Sequence, residues 1–363
     1  MIKILYLVSS LANTGPTNQL SYIVKNLDRE LFHPTIIALS HHKGESEFID
    51  NIDADIKIIG FSRVNGLFKN LKTINSYILN NKIDIVHSQG IRSDVIAASV
   101  GIPTVSTLRN YPFYDYSMEY GVIVGYFIAK FHLKILKKIN HPVVVSRSIS
   151  DLLLRKHNYK IPFVLNGIDK NRFKLVKNLD LLSELQPNPA GRIFTVIGDL
   201  SFRKNPLPII DAFKKSSSVE GDVLIFLGGG PLTDKCVRLT AGYRSIKVLG
   251  NVGDVVQYLL ISDYLISSSL AEGMPNAVLE ACAANVPLIL SDIDPHVEIY
   301  NMAKENTLLF SNSKLENLVQ VFDDIATDNP NIKLKRDCSE VVSKYLDAKI
   351  MSNNYQKIYI DLL

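Results

Sequence analysis

The chain has 363 residues, of which 47% are hydrophobic and 21% charged. That composition excludes a largely disordered chain, and the length exceeds what one core usually organises, so two domains are expected. Forty Lys and Arg against 36 Asp and Glu leave only +4, too small an excess to argue for nucleic-acid binding, and Cys236, Cys282 and Cys338 form no zinc-type spacing or disulfide framework, which fits a reducing cytoplasm.

Met1-Ile2-Lys3 runs straight into Ile4–Val8, which reads as a buried first strand and not as a signal peptide. Further strands are expected at Thr35–Leu39, Ile56–Ile59, Ile83–Val86, Thr104–Thr107 and Val143–Val145, with helical patterns between them. The stretch Tyr120 to Leu136 is apolar but carries Lys130, His132 and Lys134. It is too short and too charged to cross a bilayer, which needs about 20 apolar residues. Residues 111–138 hold five tyrosines and three phenylalanines, with Lys130, Lys134, Lys137 and Lys138 and no acid after Glu119. Ile123, Tyr126, Phe127, Lys130, Phe131, Lys134, Ile135 and Lys138 recur at helical spacing. Two readings stay open for this segment: an amphipathic helix lying on an anionic membrane, or an ordinary domain helix with a basic edge.

Strands follow at Phe163–Leu165, Phe194–Ile197, Val223–Leu227, Ile246–Leu249, Tyr264–Ile266, Pro287–Leu290 and Leu308–Phe310. Most are Val- and Ile-rich and apolar on both faces, the mark of parallel strands covered by helices on both sides. The fold class is α/β and doubly wound. A break falls at Asp169–Arg192, where a polar stretch leads into the turn-rich Gln186 to Gly191. The expected domains are 1–175, 190–345 and a closing segment, 346–363, that crosses back as a helix to the first. Ligands of such sheets bind at the carboxyl ends of the strands. No internal sequence repeat is visible.

The segment Ser269 to Ala284 carries the strongest chemical signal. Gly273 and Pro275 make a tight turn after a strand, and a helix from Asn276 aims its free N–H groups outward. Glu272 and Glu280 flank this turn with seven residues between them. Carboxylates so placed accept hydrogen bonds from sugar and ribose hydroxyls. The structural alternative is a capping Glu272 and a solvated Glu280.

This segment, followed by Pro287-Leu288-Ile289-Leu290-Ser291-Asp292, resembles the donor-site signature of the GT-B retaining glycosyltransferases of family 4. Val164-Leu165-Asn166-Gly167-Ile168-Asp169 with Phe173, the turn Gly228-Gly229-Gly230-Pro231, Leu249-Gly250 and Asp263 resemble further pieces of the pattern in the same order. The resemblance implies two Rossmann-like domains facing across a cleft. It implies transfer of a sugar from a nucleotide diphosphate sugar, UDP-linked by expectation, to a hydroxyl of a saccharide or lipid-linked saccharide. Retention of anomeric configuration, no obligatory metal and no cofactor beyond the donor substrate are part of it. A role in bacterial surface polysaccharide assembly, O-antigen, lipopolysaccharide or capsule, follows from family habit. So does a cytoplasmic protein, peripheral at the inner face of the membrane.

The same resemblance assigns residues. Lys204 corresponds to the donor-phosphate lysine, and Arg203 supplies a second cation where Asp199 replaces the family's usual Arg after Gly198, the alternative being that Arg203 and Lys204 are surface turn charges. Glu272 positions the donor sugar and Glu280 the ribose. Ser269, Gly273, Met274, Pro275, Asn276, Gly230 and Pro231 complete the donor site. Asn13 and Gly15 belong to a loop where the family has two glycines and this chain one. Arg109 stands where the family often has His, and faces phosphate, sugar or an anionic acceptor, or else supports its loop. His87 matches a position near the acceptor, with a satisfied strand-end histidine as the alternative. The strings Asp53-Ala54-Asp55 and Asp292-Ile293-Asp294 are discounted as metal sites, since such strings arise by chance. Neither a dinucleotide fingerprint, a Walker loop nor a nucleophile elbow is present. Two other activities fit the fold: a sugar-nucleotide epimerase, and a non-catalytic subunit, which Asp199 and Arg109 favour.

Overall fold

The Val- and Ile-rich runs form twelve strands among the described residues, and most of them are followed by a helix. The computed structural model describes residues 1–363 except 13, 41–51, 59–65, 187, 331 and 333. It divides into two units, Met1–Gly167 with Ala348–Leu363, and Ile168–Asp347.

The first unit holds β1 (Ile2–Val8), β2 (Phe32–Ala38), β3 (Asp55–Ile58), β4 (Ile85–Gln89), β5 (Thr104–Leu108) and β6 (His141–Val144) in the order β3-β2-β1-β4-β5-β6, every pair parallel. Every residue of β4 and β5 is buried, because helices cover both faces. The second unit holds β7 (Ile193–Ile197), β8 (Val223–Leu227), β9 (Ile246–Gly250), β10 (Tyr264–Ser267), β11 (Leu288–Ser291) and β12 (Thr307–Phe310) in the order β12-β11-β10-β7-β8-β9, again all parallel. Numbered from its own first strand, each sheet reads 3-2-1-4-5-6. The backbone therefore repeats where the sequence does not. In this order the winding reverses between β1 and β4 and between β7 and β10, and ligands settle outside the carboxyl ends of strands at such reversals.

Each core is built by the inward faces of these elements. In the second, Phe194, Phe213, Phe226 and Phe322 are fully buried, and Phe194 and Phe322 meet edge to face at 5.1 Å. Truncating one to Ala is worth about 3–5 kcal/mol. In the first, helix Ala348–Asp361 buries Ala348, Met351, Ser352, Tyr355, Gln356 and Tyr359, a spacing of three or four residues that makes one face. That face packs on helix Gly15–Lys25, with Ser352 Oγ donating to the Ile23 carbonyl at 2.8 Å.

Three expectations shift. Phe163–Leu165 makes only a single bridge, Phe163 to Val144, and no strand, while Ile59 of the expected third strand lies outside the described residues. Residues 168–175, assigned by sequence to the first domain, pack with the second unit, where Ile168 bridges Asp347 and Lys170 Nζ meets the Asp347 carboxylate at 3.1 Å. The aromatic-basic stretch is two helices, Pro112–Tyr120 and Val122–Leu136, crossing at Gly125, where a Cβ would lie 2.4 Å from the Tyr116 carbonyl oxygen.

Candidate active site

In the second unit the loop after β7 and the loop after β10 meet at the reversal of the sheet. The Leu270 amide donates to the Arg203 carbonyl at 2.8 Å and ties them together. Glu272 is buried between the cations of the first loop: Lys204 Nζ lies 2.7 Å from Oε1 and Arg203 Nη1 3.0 Å from Oε2. Ser269 Oγ donates to Oε1 at 2.8 Å. Burial alone would raise the Glu272 pKa, but Lys204 and then Arg203 outweigh it and bring it down to about 2. Arg203 also reaches Asp199, at 3.4 Å. Asp199 is therefore a second anion on the cation that was expected to compensate for it.

Two glycines let these loops approach. Gly198 has φ +138°, and a Cβ there would come within 3.1 Å of Lys204 Cε. Gly228, at φ +136°, would place a Cβ 2.0 Å from the Gly198 carbonyl oxygen. Gly230 packs its backbone against Leu200 in the same way and spends its N–H on Thr233 Oγ1 at 2.8 Å, while Pro231 is exposed. The turn Gly228–Pro231 thus acts as a backbone spacer for the Lys204 loop.

Gly273, Met274 and Pro275 are buried and lead into helix Asn276–Ala283, which has no side-chain cap. Its first-turn N–H groups and the positive end of its dipole suit an anion. The side chain of Glu280, on the same helix, makes no hydrogen bond or ion pair among the described residues. Burial pushes its carboxyl up to about 7 against the weaker pull of Arg172 and Lys204. This half-buried carboxylate is an acceptor without side-chain donors among the described residues, suited to ligand hydroxyls.

Sequence reasoning missed the support beneath Glu272. His296 is fully buried, with Nδ1 2.9 Å from Ser291 Oγ and Nε2 3.4 Å from Ser267 Oγ. Ser267 Oγ lies 3.2 Å from Ser269 Oγ, and Ser291 Oγ and Asn312 Nδ2 both donate to the Ser269 carbonyl. Burial holds the His296 pKa down to about 4, so the ring is neutral at physiological pH. It is a positioning residue: it fixes the serine that fixes Glu272. The only available signal was a histidine shortly after a Pro-led strand.

Gly15, His87 and Arg109 lie in the first unit, and Asn13 lies outside the described residues. Gly15 opens helix Gly15–Lys25, whose N-terminus has no side-chain cap. His87 is corrected as an acceptor contact. It is fully buried within β4, with Nδ1 2.7 Å from Tyr359 Oη and Nε2 2.8 Å from Thr107 Oγ1. Both ring nitrogens are spent, and burial followed by the charge of Arg109 lowers its pKa to about 3. Arg109 instead follows β5, donating from Nη1 to Asn166 Oδ1 at 2.8 Å and from Nη2 to Gln89 Oε1 at 2.9 Å. The Asn166-Gly167 pair has work of its own. Gly167 exchanges two hydrogen bonds with the Gln19 amide and abuts Ala348, where a Cβ would lie 2.6 Å from Cα.

Of the discounted acidic strings, Asp55 pairs with His33 and Asp292 accepts from Ser311 and Asn312. Among the described residues no three His, Cys, Asp or Glu side chains gather as a metal site. None of the described helices is long and apolar enough to cross a membrane.

Residues 180–344 match the family model for glycosyl transferases group 1, and residues 14–172 that for glycosyltransferase family 4. The chain is 26% identical over 315 residues to an Escherichia coli UDP-Gal:α-D-GlcNAc-diphosphoundecaprenol α-1,3-galactosyltransferase, covering 81% of this chain and 80% of that protein. It is 24% identical over 382 residues to the capsular polysaccharide biosynthesis glycosyltransferase CapH of Staphylococcus aureus, covering 99% of each. Among solved structures, a glycosyltransferase of Rickettsia africae superposes with a TM-score of 0.77 at 19% identity over 99% of this chain and 98% of that one. Anabaena HepE in complex with UDP-glucose does so at 0.80 and 15% identity over the whole of both chains. These likenesses show the fold: two Rossmann-like α/β units of the GT-B kind.

Proposed function

The chain is a glycosyltransferase, and from that premise we propose that it moves a sugar, with retention, from a UDP-linked donor to a hydroxyl of a saccharide or lipid-linked saccharide. The observation that carries this reading is the Lys204–Glu272–Arg203 group set beside the uncapped helix at Asn276 and the unpartnered Glu280. Leaving-group charge is the physical problem in such a transfer. Lys204, Arg203 and the helix N-terminus would stabilise the departing diphosphate. Glu272 would hold donor-sugar hydroxyls, and Glu280 would accept from the ribose. Charge stabilisation of this kind needs no metal, so transfer is expected to persist in a chelator.

A thermal-shift panel of UDP, GDP, ADP and CMP on the full chain tests the donor site. A ligand at 100 times its dissociation constant stabilises by about 2.7 kcal/mol. The expected result is a shift with UDP that Glu280→Ala and Lys204→Ala abolish. No shift with any nucleotide would sink the assignment. Conversion of UDP-sugar without acceptor would favour the epimerase instead.

The relatives support a place in surface polysaccharide assembly, since one is named for a diphosphoundecaprenol acceptor and one for capsule biosynthesis. A lipid-linked acceptor requires approach to a bilayer, and helix Val122–Leu136 supports it. Val122 is 77% exposed, Ile123 74% and Phe127 65%, beside exposed Lys130, Lys134, Lys137 and Lys138. Ile135 departs from the expected stripe, because it faces the core. Apolar side chains enter the interface while the lysines meet anionic headgroups. Co-sedimentation with phosphatidylglycerol vesicles is expected, and Ile123→Asp with Phe127→Asp should abolish it. Equal binding by that double variant would end the membrane reading.

A further inference from the structure

Asp199 runs against the chemistry of the edge on which it sits. It follows Gly198 directly, at the carboxyl end of β7 and beside the reversal of the second sheet, where ligands settle. The resemblance places an Arg there, so the acid reverses the local charge. The backbone around it is pinned. The Leu200 amide donates to the Gly229 carbonyl at 3.0 Å, and the Ser201 amide to the Asp199 carbonyl at 2.9 Å. The Asp199 side chain, however, is 49% exposed. Its carboxylate can turn while the chain beneath it stays fixed.

Two carboxylates claim Arg203, and they hold it unequally. Nη1 meets Glu272 Oε2 at 3.0 Å and the Ala271 carbonyl at 3.2 Å. Nη2 meets Asp199 Oδ1 at 3.4 Å. Glu272 is buried and close, whereas Asp199 is half-exposed and long, and solvated ion pairs add little to stability. An anion arriving at Arg203 therefore displaces Asp199 first and leaves Glu272 in place. The charges of the group point the same way. Lys204 and Arg203 face Glu272 and Asp199, two against two, and His296 behind them is neutral. Without Asp199 the group would keep one net positive charge for a diphosphate. We propose that Asp199 is a positioning residue that competes with the donor diphosphate for Arg203: it yields the Nη2 edge of the guanidinium when the diphosphate binds and retakes it as UDP leaves. The exchange trades affinity for release, since affinity differences at one site fall mostly on the rate of dissociation.

This deepens the donor reading of the second unit and rests on it: the acid that departs from the family pattern tunes turnover and does not abolish it. Wild type, Asp199→Asn and Asp199→Ala are compared as full chains by titration with UDP and with uridine, which carries no phosphate, and by donor kinetics. Both variants are expected to bind UDP about two- to fivefold more tightly, the size of a solvent-screened charge interaction. Donor KM should fall by the same factor with kcat no higher, and the gain should shrink as salt is raised. Uridine affinity and the ligand-free melting temperature should not change, because neither involves the phosphate-facing edge of Arg203. Weaker UDP binding by the variants would make Asp199 a strut that aligns Arg203, and would overturn the proposal. Equal UDP binding would overturn it too, by showing that Asp199 never meets the charge of the ligand. So would a gain for uridine as large as that for UDP. If wild type and variants alike ignore UDP, the donor reading itself fails, and UDP binding by wild type tells that failure from this one.

Discussion

Each unit carries a cationic group at the carboxyl edge of a Rossmann-like sheet, and the two groups are balanced in opposite ways. In the second unit Lys204 and Arg203 close on Glu272 at 2.7 and 3.0 Å, a carboxylate of the same chain. In the first unit Arg109 rests on two amide oxygens. The cations of the second are already paired, so the proposed diphosphate would share them with Glu272. The first has no carboxylate of the chain paired with it among the described residues. A built-in carboxylate lowers the cost of holding two cations in a dry loop, at some loss of attraction for phosphate. Amides keep the full attraction and leave the charge unbalanced.

Deleting the built-in anion is the strongest way to break this comparison. Glu272→Ala leaves Lys204 and Arg203 facing each other, and removing one partner of a buried ion pair typically costs about 3–5 kcal/mol. UDP should then stabilise the variant more than wild type, because its diphosphate replaces the lost charge. Transfer should still fall by about 10²–10³-fold, since the proposed hold of Glu272 on the sugar would be lost. Lys204→Ala should lose both UDP binding and transfer. An unchanged UDP shift in Glu272→Ala would show that the cations were never available to the ligand. The pH profile carries the same information. With a folded pKa of about 2, below the ordinary value of 4.5, Glu272 contributes stability that is present above pH 4.5 and lost as pH falls toward 2. The acid limb of the stability curve should flatten in Glu272→Ala.

Glu280 gives a smaller effect of opposite sign. Its folded pKa of about 7 lies above the ordinary 4.5, so the folded state is favoured at low pH, and ionisation costs stability as pH rises through 4.5 toward 7. Glu280→Gln should melt higher than wild type at pH 8. In the proposed role ribose hydroxyls would donate to the ionised form, so wild-type UDP affinity should weaken as pH drops below about 7. Losing hydrogen bonds to a charged group is worth about 1.5–3 kcal/mol, or roughly 10–100-fold in UDP affinity. Glu280→Gln should bind weakly at every pH. A wild-type affinity flat from pH 6 to 8 would remove Glu280 from the ribose.

What could be read in the sequence was local. Strand and helix periodicities marked the two units, and the turn, helix and both glutamates of the donor segment lie within Ser269 to Ala284, where neighbours in sequence are neighbours in space. The ion pair Arg203–Glu272 spans 69 residues and the support from His296 to Ser267 spans 29, and no period links such partners. The sequence left His87 open between an acceptor contact and a satisfied strand-end histidine, because its partner Tyr359, which settles it for the second, comes 272 residues later. Phe163–Leu165 has the composition of a strand, but only Phe163 finds a bridging partner, Val144. The pairing of Arg109 was equally hidden, since its partners Gln89 and Asn166 lie 20 and 57 residues away in sequence.

The smallest expected effect tests the reassignment of His87. Tyr359→Phe removes one hydroxyl, which lies 2.7 Å from His87 Nδ1 and 3.2 Å from Tyr6 Oη. A buried imidazole nitrogen left without a partner costs about 1–3 kcal/mol, and each kcal/mol moves the melting temperature of a unit this size by about 2–4 °C. The ring is neutral in the folded state, with its pKa near 3, so the loss should be the same at pH 6 and pH 8. Acceptor KM and kcat should not change, because His87 is fully buried and both its ring nitrogens are used within the chain. A rise in acceptor KM with an unchanged melting temperature would return His87 to the acceptor and leave the Tyr6–His87–Tyr359 contact without a structural purpose.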